Sequence, residues 1–176
     1  AVTRKLMRDF RIYMVVGGMP QAVDTYIDTN NLMEVDRVKR NIIQLYEDDF
    51  YKIDSSGRLS MLFDAIPAQL NSNASRYQVA SAIGNNTDSE KVLQLISELR
   101  ESMTINMAYH ANDPNVGMSL AMDLNKYKMY IGDTGLFITL AFKDKDFTEN
   151  IIYQKLMSDK LDTNLGYVYE NMVAQM

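Results

Sequence analysis

The sequence predicts a mainly α chain with a small β wing, arranged as a helical lid followed by a winged-helix-like domain. Three observations predict it. Apolar residues recur at spacings of three and four through most of the chain, the signature of amphipathic helices. Only two short runs, Met103–Tyr109 and Tyr127–Ile131, read as strands. Those runs follow three helices, which is the winged-helix order. With 176 residues, 47% of them hydrophobic, the chain can fill a core and has room for one domain or two small ones. The expected division is a lid-like segment over 1–56, a winged-helix-like domain over 57–132, and further helices over 133–176.

In chain order, Arg4–Val16 reads as a helix with Leu6, Phe10, Tyr13 and Met14 as its apolar stripe and Arg4, Arg8 and Arg11 on another face. Gly17-Gly18 stops it, and Pro20 stands where the first turn of a new helix tolerates proline. That second helix runs to Thr29 and ends at Asn30-Asn31. Leu32–Lys52 repeats Val35, Val38, Ile42, Leu45 and Tyr46, a long amphipathic helix. Asp54-Ser55-Ser56-Gly57 is a turn cluster. Leu59–Leu70 is helical, with Pro67 bending or splitting it. Arg76–Ile83 is a short helix closed by Gly84-Asn85-Asn86. Asp88 is placed to cap a helix through Ser102 with Val92, Leu95, Ile96 and Leu99 as its stripe. The two strands are separated by a loop carrying Pro114-Asn115 and Gly117. Asp133 is the expected N-cap of a helix through Phe142. Asn150–Met157 and Gly166–Met176 are the last two helices. Ala1 and Met176 both fall within helical pattern, so the chain reads as cut at both ends.

Composition narrows the chemistry. There is no Cys, which removes disulfides and thiolate sites, and His110 is the lone His, more in keeping with a loop or wing position than a ligand. Eighteen Lys and Arg stand against 23 Asp and Glu, a mildly acidic balance. No uncharged run is long enough to span a membrane and no leader pattern is seen, so the cytoplasm is the expected location. None of the eight Gly residues precedes Lys, so the chain has no phosphate-binding Gly-Lys-Ser/Thr loop. Met129–Ile131 before Asp133 faintly imitates the strand that ends in a metal-binding Asp, but capping accounts for Asp133 better. No Lys has Asp or Glu two residues before it, so a nuclease centre of the Glu/Asp-x-Lys type is also missing. Glu47, Asp48 and Asp49 point in different directions around a helix and read as a solvated face.

The winged-helix segment is a poor match to a polyanion. Ser60–Asp113 carries three bases, Arg76, Lys91 and Arg100, against six acids. A local DNA-binding patch at Asn73, Ser75 and Arg76, beside Asn71, remains the alternative reading. The cluster Arg4, Lys5, Arg8 and Arg11 reads as a solvated helix face. The 13 Met and 11 Tyr suit core packing and adaptable interfaces.

Five strings then occur together: Tyr13-Met-Val-Val-Gly17-Gly18-Met19-Pro20-Gln-Ala-Val23; Tyr46-Glu-Asp-Asp49-Phe50-Tyr-Lys52; Leu62-Phe63-Asp-Ala-Ile66-Pro67-Ala-Gln69-Leu70; Lys128-Met-Tyr130-Ile-Gly-Asp133-Thr-Gly135-Leu136; and Gly166-Tyr-Val-Tyr-Glu170-Asn171-Met-Val173-Ala. In this order they resemble the C-terminal half of the prokaryotic AAA-family ATPases that carry the DUF4143 domain, from about Phe10 to the end of the chain. The resemblance implies a P-loop ATPase core before this segment and a nuclease-like domain after it, with 133–176 leading into the latter. ATP and Mg would then belong to the intact protein, with no cofactor held by this chain alone. Gly17, Gly18 and Pro20 are similar to a lid element whose Pro packs near adenine; a plain helix-breaking turn satisfies the same residues. Glu170 is similar to a helix residue beside the family's metal site; without the later strands it reads as a solvent-facing residue. The expected function is a non-catalytic regulatory piece that couples nucleotide state to an effector domain. The alternative is a winged-helix DNA-binding module.

Overall fold

Turn chemistry sets the order of the elements. The computed structural model describes residues 2–113, 122–144, 150–158 and 166–176. Helix α1 (Val2–Val16) stops at Gly17, whose φ of 81° few side chains tolerate and whose N–H closes on the Tyr13 carbonyl at 2.8 Å. Pro20 opens α2 (Pro20–Thr29) at a position where no donor is needed. Asn30, at φ 47°, ends α2, and the Asn31 side chain accepts from the Met33 N–H to cap α3 (Leu32–Ile53). Next come α4 (Arg58–Asp64) and α5 (Ile66–Asn71), separated at Ala65. The split expected from Pro67 thus falls two residues earlier. Pro67 has no N–H for the Phe63 carbonyl, and its ring suits only the first turn of a new helix.

Helix α6 (Val79–Ile83) is shorter than the expected Arg76–Ile83. Tyr77 donates its N–H to the Tyr127 carbonyl at 2.7 Å and Gln78 donates its own to the Gln69 side chain at 2.6 Å, so this stretch is held extended. Helix α7 (Ser89–Glu101) has Asp88 at its N-cap position, but the Asp88 side chain makes no capping bond. Strands β1 (Ile105–Ala111) and β2 (Met122–Ile131) pair antiparallel, from Ile105 opposite Ile131 to Tyr109 opposite Tyr127. The register then jumps to His110 opposite Asp123, so Leu124–Lys126 bulge from β2. Strand β1 starts and ends two residues later than expected and β2 begins five residues earlier, and the exposed His110 lies on β1. The expected Pro114-Asn115 and Gly117 turn lies outside the described residues. Helices α8 (Thr134–Ala141), α9 (Asn150–Met157) and α10 (Gly166–Gln175) complete the described chain. It is mainly α with a small two-stranded sheet.

One apolar cluster joins all three expected segments, while α2 packs in a smaller one of its own, with Ala22 beside Val16 and Val35. Met14 of α1, Ile42 of α3, Phe63 of α4, Leu99 of α7, Met129 of β2, Phe137 of α8, Tyr153 of α9 and Met172 of α10 all belong to the larger cluster. The three expected segments therefore contribute to one shared core. Helix α8 is its centre: every residue from Thr134 to Leu140 is buried, as a helix apolar all round requires. Two expected stripes hold in part, with Phe10 and Met14 of α1 and Val35, Val38, Ile42 and Tyr46 of α3 packed on the core. In α1, Leu6 is exposed and Met14–Val16 are buried; in α3, Leu45 is exposed while Asp36, Lys39 and Ile43 face inward. Tertiary contact with α8 decides both.

Candidate functional site

The densest polar chemistry lies where the end of α1, the middle of α3 and the start of α8 meet. Asp133 is the expected N-cap of α8 and performs that role: its Oδ1 accepts the Leu136 N–H at 2.8 Å. Its other oxygen, Oδ2, accepts the Gly18 N–H at 2.6 Å, across 115 residues of sequence. One buried carboxylate thus ties the Gly17-Gly18 turn to the helix that follows the sheet. The approach is close enough to require small residues. A Cβ on Gly135 would lie 2.3 Å from the Val16 carbonyl oxygen, and one on Gly17 would lie 2.3 Å from Asp133.

Lys39 secures the same joint from below. Its side chain is fully buried, and Nζ donates to the Val15 carbonyl at 2.8 Å and the Gly135 carbonyl at 3.2 Å. The ammonium also lies 5.5 Å from the centre of the Tyr153 ring. Burial pulls the Lys39 pKa down to about 8, opposed by the charges of Asp36 and then Asp133 and reinforced by Arg40. Asp36, one turn earlier, is equally enclosed. Its Oδ1 accepts from the Tyr153 hydroxyl at 2.7 Å and the Thr139 hydroxyl at 3.2 Å, and its Oδ2 from Arg40 at 2.9 Å. Neither Lys39 nor Asp36 is among the residues expected at a site. The available signal was spacing: position 39 falls on the same helical face as Val35, Ile42, Ile43 and Phe50.

The structure brings some of the expected site residues into this joint and not others. Gly17 is buried within it, whereas Gly18 and Pro20 are exposed on its outer side. The Gly17 and Gly18 N–H groups are both engaged and Pro20 has none. Neither glycine of this turn therefore has a backbone donor free for a phosphate, and Pro20 presents an apolar, exposed surface. Asn73, Ser75 and Arg76 lie elsewhere, exposed on the turn between α5 and α6. Asn73 has φ 54°, so its identity also has a backbone reason. Most of the segment connecting β1 and β2 lies outside the described residues, so the wing half of the DNA reading has no geometry there. Of the basic cluster on α1, Arg4, Lys5 and Arg8 are exposed as expected, and Arg11 is half-buried.

Two expectations about acidic residues need correction. Glu170 does not simply face solvent: it accepts from Lys128 at 2.7 Å and from the Tyr130 hydroxyl at 3.0 Å. Burial, then the Glu170 bond and charge, push the Tyr130 pKa up to about 12. Glu47 does not belong to a uniformly solvated face either, because it is half-buried and pairs with Lys143, which also binds Asp64 at 2.8 Å. Beside Glu170, Asn171 is fully buried, with Oδ1 accepting the Ile131 N–H at 2.8 Å and Nδ2 donating to the Ile131 carbonyl at 3.1 Å. Gln175 extends the seam by accepting the Thr134 N–H at 2.8 Å. Among the described residues, no group of three or more His, Asp or Glu side chains is placed to hold a metal ion. No described helix is long and apolar enough to cross a membrane.

Fold and joint together define a mainly helical module in which an N-terminal helix turn is fastened to the helix after a two-stranded sheet. The chain belongs to the family described as Domain of unknown function (DUF8612), whose model matches residues 7–146. That span contains Gly18, Lys39, Asp133 and Gly135, the parts of the joint. No curated protein and no solved structure matches the chain.

Proposed function

We propose that this chain is a non-catalytic coupling module of a P-loop, AAA-type ATP-binding protein, acting in the cytoplasm. It would relay the position of a nucleotide-sensing lid to a following effector domain. The observation that carries this reading is the Asp133 bridge between the Gly18 N–H and the start of α8. A displacement of the Gly17-Gly18 turn is resisted by groups on both sides of the sheet, so the lid and the helices beyond it move together. Lys39 supports the same conclusion by holding the Val15 and Gly135 carbonyls with one ammonium. ATP and Mg would be held chiefly by an ATPase core earlier in the same protein, with Pro20 against the base. A nuclease-like domain would follow α10 as the other partner.

Hydrogen exchange on the full-length protein tests this. Adding ATP should change amide protection at residues 17–23 and at 134–141 together, and Asp133→Asn should separate the two responses. Unchanged protection at both segments would overturn the proposal.

A further inference from the structure

A groove of about 600 Å³ lies between α7 and the sheet. Its size is in the range of small-molecule sites, roughly 300–1,000 Å³. Val92 and Ile96 from α7 and Met107 from β1 form an apolar floor, with the rings of Tyr109 and Tyr127 along one wall. Leu93 and Leu124 line it as well, yet they are 68% and 64% exposed. Two large aliphatic side chains left in water beside a concave apolar surface are unusual unless something covers them.

The polar groups state what that something carries. Arg100 is the one residue with a formal charge among the described residues that line the groove. No described acid pairs with it, although Glu98 and Glu101 are its near neighbours in sequence. A cation therefore stands at one end of a largely apolar, tyrosine-walled groove whose other polar side chains, Asn85, Ser89, Ser97 and Asn125 among them, are uncharged. From Ser89 to Arg100 the helix rises about 16 Å. We infer that this groove is a binding site for a small amphipathic organic anion: an apolar or aromatic body with one acid group, the acid on Arg100. Tyr109 and Tyr127, 6.0 Å apart and inclined at 63°, present both an edge and a face to an aromatic body. The site is independent of the nucleotide-coupling proposal, because none of the residues of the Asp133 joint lines it.

The test uses 1-anilinonaphthalene-8-sulfonate, an aromatic body with one sulfonate, and its uncharged relative N-phenyl-1-naphthylamine. Fluorescence titration of the chain should show saturable one-to-one binding of the sulfonate. Arg100→Gln should weaken it about tenfold while changing the uncharged probe less than about twofold, as loss of a single charge-assisted contact predicts. Ile96→Trp, which fills the floor, should remove both probes. Because Arg100 is exposed, its variant should keep the parent circular dichroism and melting temperature. Absence of saturable binding, or equal sulfonate affinity in Arg100→Gln, overturns the inference. So does a dimer in sedimentation that Leu93→Asp dissociates, which would assign the groove to a second copy of the chain.

Discussion

Lys39 holds two carbonyls together inside a core and is protonated at neutral pH, so its effect on stability has a definite sign. Its pKa is about 8 in the folded protein against 10.5 in an unfolded chain. Between those values the unfolded state binds more protons, so stability rises with pH across this window, by on the order of 3 kcal/mol in full. Buried tyrosines act in the opposite direction. Tyr77 and Tyr130 hold their protons above the ordinary value of 10, and stability falls as pH rises beyond it. Urea unfolding at pH 7, 8.5 and 9.5 should therefore show increasing stability that reverses above about pH 10. Lys39→Met should flatten the rise and leave the reversal. At Asp133, replacement by Ala removes a cap and a charged bond to Gly18, at a cost of about 3 kcal/mol; Ser, which can cap but not reach Gly18, should recover about 1 kcal/mol. Gly135→Ala should cost about 1–3 kcal/mol, against the usual helical gain from Gly to Ala, because of the Val16 carbonyl. Gly166→Ala, with open space around it, should be close to neutral. At this scale Asp133 was legible as a cap from its position before Thr134-Gly135. Its second bond was not, since nothing local in a sequence joins residues 18 and 133.

Element boundaries were legible wherever a turn residue had a single local solution. Gly17, Pro20 and Asn30-Asn31 each end or begin a helix at the expected place. Boundaries set by partners were not. The stretch Arg76–Gln78 has helical composition, yet its backbone is drawn out by Tyr127 and Gln69. The face of α3 is legible at Val35, Val38, Ile42 and Tyr46, but not at Asp36 and Lys39, polar types whose burial depends on α8 and α9 supplying acceptors and donors. Helix α10 is the clearest case of an element held by a few polar bonds. Asn171→Leu keeps the branched shape, though it is bulkier, and removes both bonds to Ile131, leaving a buried N–H and carbonyl unpaired at a cost of about 2–4 kcal/mol. Asn171→Asp retains an acceptor for the N–H but sets a carboxylate against the Ile131 carbonyl, and should be at least as damaging. Exchange of the Ile131 amide should accelerate by a larger factor than that of Met14 in either variant.

Over the whole molecule, the balance of 18 bases to 23 acids and the exposed position of Arg76 give opposite indications about DNA. The balance should prevail: a salt titration with duplex DNA should show no saturable binding at physiological ionic strength. Were binding found, Arg76→Ala should reduce the slope of log K against log salt by about one phosphate contact. The mainly α architecture and its two-stranded sheet follow from periodicity alone, and so were legible. The shared core and the joint depend on which helix faces meet, which periodicity leaves open.

The three bonds on the outer side of β2 have one further effect. Tyr127, Met129 and Ile131 turn their backbone groups away from β1, and such a row is a template on which a strand from another molecule can dock. The Tyr77 N–H occupies one end of that row and the Asn171 amide the other. A stretch of coil and one side chain thus stand in for a third strand and guard the small sheet against pairing with its neighbours. Variants of Asn171 should accordingly form β-rich aggregates on mild heating before the helices melt, with Ile131 at the growing edge.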